Sequence, residues 1–146
     1  MKHIRQLESL QDITTVVNCC ADYLYDQSNG VRQQLSELAC KFANFAIVYA
    51  AYDGANNLSG YVAFYANNVS TKLGYISIIV VKKECQGNGI GSFLFSHVVD
   101  HLKEKNFLGL QLEVAKGNKK ALNFYLKKDF AIIEERATSY LLQLLF

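Results

Sequence analysis

Between an apolar run, Tyr75-Ile76-Ser77-Ile78-Ile79-Val80-Val81, and a helix-like stretch over residues 93–105 stands Gln86-Gly87-Asn88-Gly89-Ile90-Gly91-Ser92. Three glycines in five positions allow positive φ and let successive backbone N–H groups converge on one concavity. A helix start just behind them adds unpaired N–H groups and the positive end of a dipole. The chemistry this suits is the cradling of a phosphate or pyrophosphate. A glycine-rich turn alone would equally close a plain strand-to-helix connection, so its surroundings have to decide.

Two further candidates lie downstream. Asn118 stands where a strand-like run, residues 108–115, gives way to a helical one, residues 118–128. Its side chain can cap that helix and can also offer a polar contact to a ligand. Tyr125, two turns into the helix, is at an inward position where a ring packs by default and its hydroxyl needs a partner.

Rival motifs fail on spacing. A dinucleotide fingerprint wants Gly-x-Gly-x-x-Gly, but from Gly87 the third glycine falls at Gly91, and Ser92 takes the sixth place. Glu113 does lie about 20 residues on, as that fold's ribose-binding acid would. A P-loop would need a Lys-Ser/Thr pair. His97 and His101 are one helical turn apart without a carboxylate motif or metal partner, which suits a helix surface and no role.

The elements that must position these residues follow from periodicity. Residues 3–7 suit a short strand. Asp12 is a plausible N-cap for a helix with Ile13, Val16, Val17, Cys20 and Leu24 on one face. After a polar break at residues 26–30, Val31, Leu35, Leu38 and Phe42 mark a second helix. The runs 45–52 and 58–66, separated by Asp53-Gly54-Ala55-Asn56-Asn57, read as a hairpin, and the strand at residues 75–81 extends it into a meander. Ile90, Leu94, Val98 and Leu102 then form the inward stripe of an amphipathic helix. The strand at 108–115 should pair in parallel with 75–81 through a right-handed crossover. The next helix carries Ala121, Leu122, Tyr125 and Leu126 inward, and two strands follow at 131–135 and 139–146. The class is α/β with a mixed sheet.

Composition bounds the partners. A chain of 146 residues without proline, linker or repeat suits a single domain over residues 1–146. A hydrophobic content of 51% with 19% charged residues indicates a globular chain, and no apolar run approaches the ~20 residues that would cross a bilayer. Net charge is only +2 with no dense basic block, so neither a nucleic-acid nor a membrane partner is expected. Lys82 with Lys83, and Lys116 with Lys119 and Lys120, are local patches that a small anion could use. Cys19, Cys20, Cys40 and Cys85 have neither disulfide nor zinc spacing and suit buried apolar positions in a reducing, cytoplasmic compartment; no metal is expected. No export signal is visible.

Taken together, Gln86-x-x-Gly89-x-Gly91 between a strand and a helix resembles the acetyl-CoA pyrophosphate loop of the GNAT family of N-acetyltransferases, Arg or Gln-x-x-Gly-x-Gly or Ala. Asn118-Lys119-Lys120-Ala121-Leu122-Asn123-Phe124-Tyr125-Leu126-Lys127-Lys128-Asp129-Phe130 resembles the family's Asn-x-x-Ala-x-x-Phe-Tyr-x-x-x-Gly-Phe segment. The element order matches that family along nearly the whole chain.

The resemblance implies a GNAT-like acyl-CoA N-acyltransferase fold. Its sheet is mixed and mostly antiparallel, with a central splayed parallel strand pair, flanked by about four helices. It implies acetyl-CoA as co-substrate, with pyrophosphate on the amides of Gly87, Asn88, Gly89, Ile90, Gly91 and Ser92 behind Gln86. It implies pantetheine along the backbone of Ile79, Val80 and Val81, a polar contact from Asn118, and Tyr125 protonating the leaving thiolate. The activity implied is transfer of acetyl to a primary amine of a small molecule or peptide in a ternary complex. The alternative is a catalytically silent acyl-CoA-binding or regulatory module.

The acceptor is expected between the first two helices and the hairpin, near Tyr23, Tyr25, Asp26, Tyr52 and Tyr65, although such tyrosines equally suit core or a homodimer contact. Three departures stand out. Asp129 replaces a glycine and Lys83 a proline, while Ser77 occupies a place where many relatives carry a carboxylate. Ser77 cannot accept an amine proton at neutral pH but can hold a water that does; Glu113 is a second candidate base.

Overall fold

The structure is a computed structural model that describes residues 2–21 and 31–146. The elements in chain order are β1 (His3–Leu7), α1 (Leu10–Cys19), α2 (Val31–Phe45), β2 (Ile47–Tyr52), β3 (Leu58–Tyr65), β4 (Leu73–Val81), a 3-10 turn (Lys83–Cys85), α3 (Ile90–Glu104), β5 (Gly109–Ala115), α4 (Lys119–Leu126), β6 (Ala131–Glu135) and β7 (Ser139–Leu145). The strands form one sheet in the order β1-β2-β3-β4-β5-β7-β6, antiparallel throughout except for β4 against β5. This is the expected fold class, a mixed sheet with a central parallel pair and, among the described residues, four α-helices.

The two faces of the sheet carry two apolar clusters. α1 and α2 place Ile13, Val16, Val17, Leu35 and Phe42 against Val48, Ala50, Tyr61 and Ala63. α3 places Leu94, Phe95, Val98 and Leu102 on the other face, over Val62, Phe64, Ile76, Leu110 and Leu112. Burying each such side chain contributes about 1.5–3 kcal/mol before chain entropy is counted, so α3 is held firmly to the sheet. Its N-terminus is therefore a fixed point.

Local expectations are corrected in three places. Ser9, not Asp12, caps α1: the Ser9 hydroxyl accepts from the Asp12 N–H at 3.1 Å, and Asp12 contributes its charge to the first turn instead. Leu126 is 40% exposed while Phe130 is buried, because α4 ends at Leu126 and the chain turns back under its own helix. Of the cysteines only Cys20 is buried; Cys19 and Cys40 are exposed. Leu24 lies outside the described residues. Asp129 takes φ 71, so the left-handed turn usually assigned to glycine survives with aspartate.

Candidate functional site

β4 is where the sheet opens. Its parallel ladder with β5 runs Leu73↔Gly109, Gly74↔Leu110, Tyr75↔Gln111 and Ile76↔Leu112, and stops there, although both strands continue. At the same point the antiparallel register with β3 shifts: Phe64 faces Ile76 and Ala63 faces Ile78, leaving Ser77 as the extra residue of a bulge. A bulge adds one residue to one strand, so alternation inverts beyond it and the strand twists more strongly. Gly74 and Ile76 face α3 before the bulge; after it Ile79 and Val81 do, while Val80 joins the α1/α2 cluster.

The inverted segment lines one wall of a cleft of about 450 Å³. The opposite wall is α4, with Asn118, Lys120, Ala121, Phe124 and Tyr125, and the floor is Gln86, Gly87, Gly89, Ile90, Gly91 and Ser92. Gly87 and Gly89 have φ of 84° and 75°, the left-handed region that side-chain-bearing residues resist. Gly89 is also the N-cap of α3 and brings no side chain to its first turn, so the N–H groups there face the cleft without a capping oxygen. This is the geometry of an anion cradle at a helix N-terminus.

Eleven of the twelve residues expected to act together, namely Ile79, Val80, Val81, Gln86, Gly87, Gly89, Ile90, Gly91, Ser92, Asn118 and Tyr125, line this cleft. Asn88 does not. Its side chain turns back to donate to the Cys85 carbonyl at 3.4 Å, and its own carbonyl accepts from Lys2. Lys120, Ala121 and Phe124 were missed as lining residues. Ala121 lies one turn from Asn118 and from Tyr125, and Phe124 is next to Tyr125, so helical spacing could have found these two; Lys120 stood only among the candidate anion patches.

Several contacts tie the walls together. Gln86 donates through Nε2 to the Val81 carbonyl at 3.1 Å and accepts from Lys120 Nζ at 2.8 Å, bridging β4 to α4. The Asn118 side chain accepts from the Ala121 N–H, so it caps α4 as expected. Tyr125 is 5% exposed and wedged edge-on between the rings of Phe124 and Phe130. Burial pushes its phenol well above the usual tyrosine range, so it stays protonated across the physiological range.

The other face of the splayed pair is polar. Alternation along β5 puts Leu110, Leu112 and Val114 under α3, and so Glu113 on the opposite face from Tyr125. Glu113 accepts from Ser139 Oγ at 2.7 Å, from Arg136 at 2.9 Å and from the Tyr75 hydroxyl at 3.4 Å. The Ser139 hydrogen bond, then the Arg136 guanidinium, hold its carboxyl below the usual range. A carboxylate so stabilised is a weak proton acceptor.

Of the expected acceptor group, the two described members, Tyr52 and Tyr65, lie apart. Tyr52 pairs with Leu58 at the start of β3, while Tyr65 ends that strand, which places them about 23 Å apart. Tyr52 stacks on His3 and under Arg5. Tyr65 buries its hydroxyl on the α1/α2 side with Lys41 over its ring. Tyr23, Tyr25 and Asp26 lie outside the described residues. His97 and His101 are half-buried rather than on the surface, and His101 Nδ1 bonds the Tyr49 hydroxyl at 3.1 Å. Of the lysine patches, only Lys120 reaches the cleft; Lys116 pairs with Glu135.

A parallel strand pair that parts over a glycine cradle, with a buried tyrosine across the gap, is the architecture of an acyl-group transferase. Residues 10–130 match the family model described as Acetyltransferase (GNAT) family. The chain belongs to the GNAT family of acetyltransferases, whose acyl donor is acetyl-CoA. No curated protein matches it by sequence.

Among solved structures, the PaiA N-acetyltransferase from Thermoplasma acidophilum, in complex with coenzyme A, is similar at TM-score 0.82 and 17% identity, over 100% of this chain and 99% of that one. Arabidopsis thaliana NAA60 in complex with acetyl-CoA is similar at TM-score 0.78 and 18% identity, over 100% and 99%. The spermidine/spermine N-acetyltransferase SpeG from Vibrio cholerae is similar at TM-score 0.73 and 20% identity, over 99% and 95%. At these identities the likeness is one of fold.

Proposed function

We propose that this chain, acting as one domain over residues 1–146, transfers the acetyl group of acetyl-CoA to a primary amine of a small molecule or peptide by direct attack within a ternary complex. The observation that carries this is the coincidence of the β4 bulge, the end of the β4–β5 ladder and the cradle on one cleft. The amides at residues 87–92 would hold the pyrophosphate. The backbone at residues 79–81, without a β5 partner, would hydrogen-bond the pantetheine as an added strand does. Asn118 would contact the same arm.

In the transfer, the amine nitrogen bonds to the thioester carbon, the C–S bond breaks, sulfur gains a proton and the amine loses one. Tyr125 would be the donor to sulfur. A phenol held above its usual range is a weaker acid than a thiol of ordinary pKa near ~8.5, so its proton would pass to sulfur only late, as charge builds there, and the phenolate left behind would regain a proton from solvent. On the acceptor side Ser77 is exposed at the bulge and Glu113 is already committed to Ser139 and Arg136, so water is the better supported acceptor of the amine proton. SpeG, a spermidine/spermine N-acetyltransferase by name, is a precedent on this fold for a small amine acceptor.

Thiol release from acetyl-CoA, followed against a panel of amino sugars, amino acids, peptides and polyamines, tests the reading. Turnover with one class supports it. Tight acetyl-CoA binding without release on any amine would leave an acyl-CoA-binding module instead.

A further inference from the structure

The cradle is ringed by three cations, one from the residue before β1 and two from the opposite ends of α4. Lys2 Nζ lies 3.4 Å from the Asn88 carbonyl oxygen. Lys120 Nζ touches Gln86 at 2.8 Å. Lys128 Nζ touches the Ser92 hydroxyl at 2.9 Å, from 36 residues away.

Lys2 stands over one ring, Phe93 at 5.1 Å, and is exposed, whereas Lys128 is held on more sides. Its ammonium stands 4.8 Å from the centre of the Phe124 ring and 5.1 Å from that of Phe95, so two aromatic faces and one hydroxyl hold it in place. It is half-buried, whereas its neighbours Lys119, Lys120 and Lys127 are exposed. None of the ion pairs among the described residues includes it. Ordering a lysine costs side-chain entropy, and here that cost is met without a carboxylate partner. Of its three donors, one goes to Ser92, and two have no acceptor among the described residues.

Its position relative to the cleft is also distinct. Ser92 belongs to the lining, but Lys128 does not; it stands one contact beyond the cradle, against Ser92 in the first turn of α3 and Phe95 in the next. Coenzyme A presents two separate phosphate groups: a pyrophosphate in the middle and a monoester on the 3′-oxygen of its ribose. One set of convergent N–H groups can serve the first. The second needs a cation displaced from the cradle.

We propose that Lys128, aligned by Ser92, Phe95 and Phe124, reads the 3′-phosphate of coenzyme A and makes the chain discriminate it from dephospho-coenzyme A. This rests on the reading that coenzyme A occupies the cleft with its pyrophosphate on the cradle. Lys120, against Gln86 inside the lining, serves the pyrophosphate that both ligands share.

The test is calorimetric titration of the full chain with coenzyme A and with dephospho-coenzyme A. Wild type should favour coenzyme A by about tenfold or more, the size of one charge-assisted contact. Lys128→Met keeps the stem between the two rings and removes the charge. It should bind coenzyme A as weakly as dephospho-coenzyme A, with affinity for the latter unchanged within about twofold. Lys120→Met should weaken both ligands equally. Equal affinities in wild type, a preference that survives in Lys128→Met, or an equal loss for both ligands in that variant would overturn the proposal while leaving the cradle reading intact. Wild type binding neither ligand would overturn both. The wild-type comparison needs no variant, so a failure of Lys128→Met to fold would not shield the proposal.

Discussion

Ile76 and Leu112 form the last parallel pair between β4 and β5, and the next residue, Ser77, is the bulge that inverts β4 against β3. One inserted residue thus does two things. The added twist carries the end of β4 away from β5, and the changed alternation turns Ile79 and Val81 toward α3 and the cleft. A site for an extended ligand arises where a strand loses one partner and keeps the other.

Gly89 carries the sharpest local test. At φ 75 it favours glycine, yet a Cβ there would meet nothing closer than Lys2 Nζ at 3.7 Å. Gly89→Val should therefore fold, at a strain of about 1–2 kcal/mol, while acetyl-CoA affinity falls by tenfold or more as the cradle loses its shape. Affinity equal to wild type in a folded variant would remove the cradle from the binding site.

Tyr125→Phe keeps the packing against Phe124 and Phe130 and removes only the hydroxyl. If the phenol protonates the leaving thiolate, kcat should fall by about 10²-fold or more with acetyl-CoA affinity nearly kept. Turnover within about twofold of wild type would make Tyr125 a packing residue. The pH profile adds a second readout. Burial raises this phenol, so its proton is present below the ordinary value of ~10 and is lost only as pH climbs through the higher folded value. No descending limb should therefore come from Tyr125 below about pH 10.

Without an efficient base, rate should follow the acceptor's own titration. Amines near the α-amino value of ~7.7–8.0 should be acetylated in preference to lysine side chains near ~10.4, and rate should rise with pH until that amine is fully neutral. Ser77→Ala and Glu113→Gln should change kcat by no more than about twofold. Glu113 is held below its usual range, so its charge and its contacts to Ser139 and Arg136 persist above that range and fade only as pH falls through the lowered value. It cannot shape a profile near neutrality. A lysine substrate with a flat profile from pH 7 upward would show that an efficient base exists.

Gly60→Ala should damage the site from behind. Gly60 pairs with Val81, and a Cβ there would overlap the Val80 carbonyl oxygen and sit 3.0 Å from Val81 Cα. The end of β4 has to move off β3. A loss of about 1–3 kcal/mol in denaturant unfolding, with weaker acetyl-CoA binding, is expected; wild-type stability and affinity would show that β4 tolerates the shift.

Much of this was legible in residue type and spacing, where the governing forces act over a few residues. Gly87 and Gly89 take left-handed φ because little else can, Asn118 caps α4 through its own side chain, and the stripe Ile90, Leu94, Val98, Leu102 can bury only one face. The strand-cradle-helix order then sets the cleft's floor and one wall. Even at this range close competitors can exchange roles, as Ser9 and Asp12 do at the start of α1, since either residue type can cap and the choice depends on where the helix begins.

What tertiary structure alone decided involves partners far apart in the chain. Ser77 as a bulge exists only in its register with Phe64 and Ala63; read by itself, it is one polar residue in a continuous strand. Lys128 looks like any solvated helix-end lysine until Ser92 and Phe95 are brought to it from α3. Tyr52 and Tyr65, near one another in the sequence, are driven to opposite ends of β3 by the hairpin they belong to. Backbone geometry and helix faces are encoded locally by sterics and periodicity, whereas the placing of a charge against a distant hydroxyl or ring depends on how the whole sheet is paired.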